Sequence, residues 1–137
     1  MSERFAYCDR IVEELTAPGH KNLLDIFDES VAQYADRVAF NALGQDMTFA
    51  EVERQSRAFA VWLRTEGGLN PGDRVAVQLP NLLQYPVAAW GIMRAGLILV
   101  NTNPMYTERE LEHQLKDSGA RAIVMLSEFL ATAENVL

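Results

Sequence analysis

"RVAVQLPNLLQYPVAAWGIMRAGLILV", residues 74–100, contains a short strand, a mostly apolar helix and a second strand. The strands are "RVAVQL" (74–79) and "LILV" (97–100), and Gly96 ends the helix between them. Pro86 must lie in the first turn of this helix, because a proline further along would lose a backbone hydrogen bond and clash with the preceding turn. Because "LILV" is apolar at consecutive positions, we expect this strand to be buried on both faces.

A capped helix is predicted next along the chain, over "TERELEHQLKDSG" (107–119). Thr107 and Glu110 have the spacing of a capping box, in which each residue satisfies a free backbone N–H of the other at the start of a helix. Gly119 is typical of the position just after a helix, where the backbone becomes left-handed.

The alternation of helices and strands then continues to the end of the chain. "RAIVML" (121–126) predicts a third buried strand, and Ser127 is expected to begin a last helix. Residues 73–137 therefore read β-α-β-α-β-α. Helices that alternate with apolar strands predict an α/β fold with a parallel sheet covered on both faces.

The preceding part of the chain predicts a helix, a β-hairpin and a second helix. "NLLDIFDESVAQYAD" (22–36) has apolar residues at helical spacing, with Asn22 as its N-cap. "RVAFNALGQDMTF" (37–49) reads as a hairpin whose turn is "LGQD". Thr48 caps the next helix, and Glu51 completes a second capping box.

Two segments are expected in the organisation of the chain. Residues 1–21 read as a lead-in that is mobile or partly helical, and residues 22–137 read as one structural unit. The last helix reaches Leu137 without a cap, and three parallel strands are few for a sheet with helices on both faces. We therefore expect the chain to be a piece of something longer.

The composition excludes several classes of function. The chain has 137 residues and a net charge of −7, and such an acidic domain is a poor partner for nucleic acid. Cys8 is the single cysteine, which leaves no partner for a disulfide or a thiolate metal site. The start lacks the apolar core of a signal peptide, and no apolar run could span a bilayer. We expect a soluble cytoplasmic protein, with peripheral contact at the inner face of the membrane left open.

Residues that could carry chemistry are few. His20 reads as an exposed residue of the lead-in, and His113 as a residue on the flank of a helix; neither has the spacing of a metal ligand. The strand-to-helix turns contain no glycine, so no phosphate-binding loop is recognisable. Capping and turn roles explain Ser118 and Ser127. No catalytic, cofactor-binding or metal-binding residue is therefore assigned.

The turn after the second strand, "NTNPMYT" (101–107), is the best-placed candidate site. In open α/β sheets, ligands bind beyond the carboxyl ends of the strands. Asn101 and Asn103 offer amide donors and acceptors there, and Tyr106 adds an apolar ring with a polar tip. An asparagine before a proline is also ordinary turn chemistry, so a cleft-lining role and a purely structural role both stay open.

The order of the motifs resembles that of a known family. "MTFAEVERQSRAFAVWL", "GDRVAVQLPNLLQYPVAAWGIMRAG" and "NTNPMYTERELEHQLKDSGARAIV" together resemble the N-terminal region of acyl-CoA synthetases, in the adenylate-forming superfamily. The resemblance covers the chain from about residue 22 to the end and is strongest to the bacterial long-chain-fatty-acid–CoA ligases. It implies an incomplete part of a larger adenylate-forming domain.

The resemblance implies an ATP-dependent reaction in two steps. A fatty acid carboxylate attacks the α-phosphate of ATP to give an acyl-adenylate and pyrophosphate, and the thiol of CoA then displaces AMP. Mg²⁺ balances the phosphate charge in such a reaction. Long-chain members resemble one another in dimerising through their N-terminal part, so the resemblance also implies a homodimer.

The family's catalytic motifs are absent from this sequence. They are the phosphate loop ending in Pro-Lys-Gly, the adenine motif, the ribose-binding Asp and the catalytic Lys, all of which lie downstream of the matched region in the family. We therefore expect the chain alone to bind ATP weakly or not at all and to lack ligase activity. Two alternatives stay open: a medium-chain, aryl or amino-acid-activating relative, and a stand-alone α/β interaction module.

Overall fold

The computed structural model describes residues 19–136, which form five α-helices, five β-strands and one 3₁₀ turn. In chain order the elements are α1 (Leu23–Tyr34), β1 (Val38–Ala42), β2 (Gln45–Thr48), α2 (Phe49–Arg64), β3 (Arg74–Gln78), α3 (Gln84–Arg94), β4 (Ile98–Asn101), α4 (Glu108–Ser118), β5 (Ala122–Met125), the 3₁₀ turn Ser127–Phe129 and α5 (Leu130–Glu134). The α/β class and the order of elements agree with the sequence-based expectation.

The three strands of the second half form one parallel sheet, as predicted. Its order is β4-β3-β5, so β3 is the central strand. Val75 of β3 lies opposite Leu99 of β4 and Ala122 of β5. Each connection between parallel strands runs through a helix, because the chain must return to the same edge of the sheet before it can start the next strand.

Helices α2 and α3 pack closely against each other beside the sheet. They are in close contact at Gly91, where a Cβ atom would lie 2.8 Å from Cδ1 of Phe59 and 3.0 Å from the carbonyl oxygen of Ser56. The main core lies between these helices and one face of the sheet, and each large apolar side chain buried there contributes roughly 1.5–3 kcal/mol. Its buried members include Leu63, Leu69, Val75, Val77, Leu79, Ala88, Ile92 and Leu97.

The two outer strands are less buried than the sequence predicts. The expectation that "LILV" is buried on both faces is wrong, because β4 is an edge strand and Ile98 is 50% exposed. The third strand is only half-buried for the same reason, since β5 forms the other edge. Consecutive apolar residues indicate burial on both faces only for a strand with neighbours on both sides, and here β3 alone has them.

The predicted hairpin and the helix caps of the first half are confirmed, but the turn is shorter than the predicted "LGQD", because Gln45 and Asp46 belong to β2. The β1–β2 turn is formed by Leu43 and Gly44, both with positive φ (52° and 76°), which matches the twist of a two-residue hairpin. The Oδ1 of Asn22 accepts hydrogen bonds from two backbone N–H groups at the start of α1. Thr48 and Glu51 form the capping box of α2.

An aromatic stack and an ion pair connect α1 to α3. The rings of Phe27 and Trp90 stack with centroids 4.3 Å apart. One turn later, the guanidinium of Arg94 pairs with the carboxylate of Asp28 at 2.5 Å. The first helix is therefore held on the surface formed by α2 and α3.

Arg74, the first residue of β3, holds the carboxyl end of α4. Its Nε donates to the carbonyl of Ser118 (3.1 Å), and its Nη2 donates to the carbonyl of Gly119 (2.7 Å). Gly119 has φ +61° and ends the helix as the sequence predicts. These two bonds satisfy carbonyl groups that have no partner inside the helix.

The neighbouring residue, Asp73, makes a second connection at this end of the sheet. The pKa of its carboxyl group is lowered, first by a hydrogen bond from the backbone N–H of Asn70 and then by Arg121. The carboxylate accepts from Arg121 Nη1 at 3.0 Å, just before β5. The starts of β3 and β5 are thereby joined by side chains as well as by the sheet.

The last predicted helix differs in detail from the structure. Ser127 begins a 3₁₀ turn, and the α-helix starts only at Leu130. The lead-in predicted for residues 1–21 falls mainly on residues 1–18, which lie outside the described residues, and the boundary at residue 22 stays a prediction. Within the described part of the chain, no helix combines the length and apolar character needed to cross a bilayer.

The contact between Arg74 and Gly119 predicts unequal effects for two glycine substitutions. Gly68 and Gly119 share φ +61°, but a Cβ on Gly68 meets nothing within 4 Å, whereas a Cβ on Gly119 would lie 2.9 Å from Arg74 Nη2. Gly68→Ala should cost about 1 kcal/mol through backbone strain. Gly119→Ala should cost about 2 kcal/mol, because it also displaces Arg74 from its carbonyl partners. Urea unfolding measures both.

Arg74→Ala supplies the control for this comparison. In that background Gly119→Ala should cost only about 1 kcal/mol, since the displaced guanidinium is gone. Equal costs for Gly119→Ala with and without Arg74 would contradict the proposed contact.

Candidate functional site

The candidate turn lies at the carboxyl edge of the parallel sheet. Strand β3 ends at Gln78, β4 ends at Asn101, and β5 ends at Met125. The chain from Asn101 to Tyr106 leaves β4 at this edge and enters α4 through the N-cap Thr107. This is the side of an open parallel sheet on which ligands bind.

Asn101 joins three elements. Its Oδ1 accepts a hydrogen bond from the hydroxyl of Tyr85 in α3 at 2.8 Å. Its backbone carbonyl accepts from Nε2 of Gln114 in α4 at 3.0 Å. One residue on, the N–H of Thr102 donates to the carbonyl of Val77 in β3 at 3.0 Å. The start of the turn is therefore fixed from both flanking helices and from the central strand.

Asn103 shapes the second half of the turn. Its Oδ1 accepts from the backbone N–H of Met105 at 2.9 Å, which is an Asx turn. Its carbonyl accepts from the N–H of Tyr106 at 3.2 Å and from Nε2 of Gln78 at 3.2 Å. The side chain of Asn103 therefore has the structural turn role that the sequence left open, and it remains exposed to solvent.

Gln78 is a residue of the candidate site that sequence reasoning missed. Its side chain is 2% exposed, and its Oε1 has no hydrogen-bond partner among residues 19–136. A buried carbonyl without a partner costs about 1–3 kcal/mol, so few sites tolerate one. The available signal was a glutamine that directly follows the apolar run Val75–Val77 at the end of a strand.

Tyr106 lies on a different surface from the two asparagines. Its side chain lines an open groove of about 890 Å³ beside α4. The other lining residues are polar or charged: Thr107, Arg109, Glu110, His113, Gln114, Asp117 and Ser118. Asn101, Asn103 and Tyr106 thus lie in one turn, but each of the three side chains has different neighbours. His113 is exposed on the helix flank, as expected.

A second, smaller hollow lies between the hairpin and the start of α3. It has a volume of about 240 Å³ and is lined by Tyr85, by the start of α3 and by the hairpin residues Phe40, Asn41 and Ala42. Because the hydroxyl of Tyr85 binds Asn101, this asparagine connects the wall of the hollow to the turn.

The described residues do not fit a metal or triphosphate site. Residues 19–136 contain no group of three or more His, Cys, Asp or Glu side chains arranged to hold a metal ion. The strand-to-helix turns contain no glycine to bring backbone N–H groups against a phosphate. The chemistry that this edge can perform is hydrogen bonding through amide and hydroxyl groups.

The start of α4 carries a stabilised carboxylate. The backbone N–H of Thr107 lowers the pKa of Glu110, and the hydroxyl of the same residue lowers it further. The two bonds to Oε2 measure 2.9 and 2.7 Å. A carboxylate at this position is also favoured by the positive end of the helix dipole. The negative charge of Glu110 beside Tyr106 is therefore part of a helix cap.

Comparison with known proteins identifies the family. A family profile described as AMP-binding enzyme matches residues 27–136, and the chain belongs to this family. The chain is 56% identical over 124 residues to a long-chain-fatty-acid–CoA ligase of Escherichia coli O6:H1, and the match covers 90% of this chain and 22% of that enzyme. The resemblance read from the sequence motifs is thereby confirmed.

Two further relatives support the same placement. A long-chain-fatty-acid–CoA ligase of Haemophilus influenzae is 55% identical over 118 residues, which is 86% of this chain and 21% of that enzyme. The solved structure of a benzoate CoA ligase from Burkholderia xenovorans LB400 superposes with a TM-score of 0.79 at 25% identity, over 85% of this chain and 24% of that one. The chain spans about a fifth of the length of the curated relatives it matches.

The side-chain contacts of the turn predict distinct effects for two substitutions. Gln78→Leu removes the donor to the carbonyl of Asn103, so amide hydrogen exchange should become faster at Met105 and Tyr106. Tyr85→Phe removes only the partner of Asn101 and should leave those two amides unchanged. Nuclear magnetic resonance on both variants measures this. Equal exchange rates in the Gln78→Leu variant and the native chain would show that Gln78 does not hold the turn.

The cap of α4 predicts a pH dependence. The pKa of Glu110 is lower in the folded chain than in the unfolded chain, so its carboxylate stabilises the fold above the ordinary pKa of a glutamate. This contribution is lost as the pH falls through the lowered pKa. In Thr107→Val the pKa of Glu110 should rise toward its ordinary value and stay below it, since the backbone N–H remains. Titration of the Glu110 carboxyl carbon by nuclear magnetic resonance measures the pKa in both chains. An ordinary pKa for Glu110 in the native chain would contradict the prediction.

Proposed function

We propose that residues 22–137 are the N-terminal part of the large domain of an ATP-dependent fatty acid–CoA ligase. The observation that carries the proposal is the 56% identity, over 90% of this chain, to a long-chain-fatty-acid–CoA ligase. The whole protein would convert a fatty acid, ATP and CoA into acyl-CoA, AMP and pyrophosphate through an acyl-adenylate. ATP, Mg²⁺ and CoA are cofactors and substrates of that whole protein and not of this segment.

The proposed role of this segment is to scaffold the cleft. A carboxylate is a poor electrophile, and adenylation supplies it with a good leaving group; the groups that perform this step in the family lie downstream. The segment contributes a parallel sheet whose carboxyl edge faces the cleft. The turn 101–106 is proposed to line that cleft: Asn101 and Asn103 shape it, held by Tyr85 and Gln78, and Tyr106 presents its side chain beside α4.

A long-chain substrate is favoured over an aromatic one. The benzoate CoA ligase shares the fold at 25% identity, less than half the identity to the long-chain enzyme. The same proposal places the whole protein in the cytoplasm as a homodimer, with peripheral contact at the inner face of the membrane. Helix α2 has two exposed apolar residues, Val61 (62% exposed) and Trp62 (52% exposed). They support a surface on this helix for contact with a second subunit or with the membrane.

The isolated chain should be inactive. Its described residues offer neither a phosphate loop nor a metal site, so it should show no ATP–pyrophosphate exchange with oleate present, and calorimetry should detect no tight binding of ATP. Exchange at the rate of a complete ligase would contradict the scaffold role. It would favour an enzyme that is complete within this chain.

A chimera tests the placement in a long-chain ligase. Residues 22–136 would replace the matching segment of the Escherichia coli enzyme, which is 56% identical. The chimera should keep its activity on oleate within about tenfold, a barrier change of about 1.4 kcal/mol, because more than half of the matched residues are identical. A folded chimera that activates benzoate in preference to oleate would overturn the long-chain proposal.

The same chimera tests the cleft-lining residue. Tyr106→Ala should lower kcat/KM for the fatty acid, whereas Lys116→Ala, on the exposed side of α4, should leave it unchanged. Lys116 makes an ion pair with Glu112 on the helix surface and serves as the control. Equal kcat/KM values for the two variants would show that Tyr106 does not line the cleft.

A further inference from the structure

Helix α2 carries one line of exposed side chains on the side that faces away from the core. Its members are four residues apart, a spacing that places them next to one another along a helix surface: Arg54, Ala58, Trp62 and Glu66. All four residues are exposed, and Glu66 lies in the turn just after the helix. We call this line of residues the α2 ridge.

The ring of Trp62 has a defined position although it is 52% exposed. It stacks on the ring of Phe59, with the centroids 6.1 Å apart and an angle of 9° between the two planes. Phe59 in turn lies against Gly91 of α3. An aromatic ring that is already held in place loses little entropy when a partner covers it, and tryptophan is enriched among the residues that dominate binding energy in interfaces.

The two ends of the α2 ridge have opposite charges. Neither Arg54 nor Glu66 takes part in any of the ion pairs formed within residues 19–136. The neighbouring Arg57 differs from them, because it pairs with Glu53 one turn earlier in the helix. The ridge therefore presents a cation at its amino end and an anion at its carboxyl end.

The α2 ridge is complementary to itself when its direction is reversed. If a second copy runs antiparallel, with a twofold axis level with residue 60, Arg54 lies opposite Glu66 and Ala58 lies opposite Trp62. The small alanine leaves room for the large indole, and opposite charges meet at both ends. Each contact then occurs twice, as in every interface with twofold symmetry. An anionic membrane fits this order of charges less well, because Glu66 would face it with the wrong sign.

We propose that the α2 ridge is the contact between two copies of this chain, packed antiparallel about that twofold axis. The proposal rests on the proposed function for the homodimer to which it gives a surface, but its test measures association without ligase activity, so either proposal can fail alone. One helix from each copy makes a small interface, so the dissociation constant should lie in the micromolar range.

Sedimentation equilibrium of the full chain, at concentrations up to about 100 µM, measures this association. The chain should dimerise, and Ala58→Arg should raise the dissociation constant at least about tenfold, because the arginine fills the space that the indole of the second copy needs. Ala58 is exposed, so this variant should fold, and circular dichroism checks that it does. A native chain that stays monomeric would overturn the proposal, and so would a dimer that Ala58→Arg leaves unchanged.

Charge reversal tests the antiparallel arrangement. Arg54→Glu and Glu66→Arg should each raise the dissociation constant roughly tenfold, because each variant replaces two attractive pairs with two repulsive ones. The double variant restores both pairs with exchanged signs, so its dissociation constant should return to within about threefold of the native value. Lys116→Glu makes the same change of charge on α4 and should have no effect. A double variant that associates no better than the single variants would overturn the proposal.

Vesicles distinguish a second copy from a lipid surface as the partner of the α2 ridge. The native chain should sediment equally little with phosphatidylglycerol vesicles and with phosphatidylcholine vesicles through this surface, so Trp62→Ala should leave the bound fraction unchanged. Binding to phosphatidylglycerol vesicles that Trp62→Ala abolishes would overturn the proposal, since a membrane would then cover the ridge.

Discussion

The central strand β3 is the constraint on which the rest of the structure depends. It is the one strand of the parallel sheet with a neighbour on each side, and Val75 and Val77 are buried there to 1% exposure or less. Its polar ends hold the segment from the candidate turn to the end of α4: Gln78 binds the turn, and Arg74 binds the carbonyls that end the helix. One buried strand thus positions both ends of the segment from residue 101 to residue 119.

Local features of this fold are predictable from the sequence. The two capping boxes and the left-handed Gly119 depend on residues within one helical turn of each other, so a short motif contains the whole interaction. The parallel sheet followed from the alternation of helices and apolar runs. The candidate turn was predicted for the same reason, since its place at a strand end depends only on element order.

Long-range features were beyond the sequence. The Gln78–Asn103 contact joins residues 25 apart, and the Arg74–Gly119 contact joins residues 45 apart. The burial of the outer strands was overestimated because strand order decides which strand is central, and the apolar run over 97–100 does not encode it. Asn101 and Asn103 also proved to hold the turn together, which the composition of the turn alone did not distinguish from ligand binding.

The proposed function depends on a sheet edge that is already in shape before any ligand binds. A segment proposed to scaffold a ligase cleft must keep the shape of its sheet edge. Here β4 is held at both ends, because the N–H groups of Ile98 and Thr102 donate to the carbonyls of Asp73 (2.8 Å) and Val77 (3.0 Å). Amide hydrogen exchange of the isolated chain tests this claim directly. Both amides should exchange slowly and at similar rates, through the same opening. A Thr102 amide that exchanges orders of magnitude faster than that of Ile98 would contradict it.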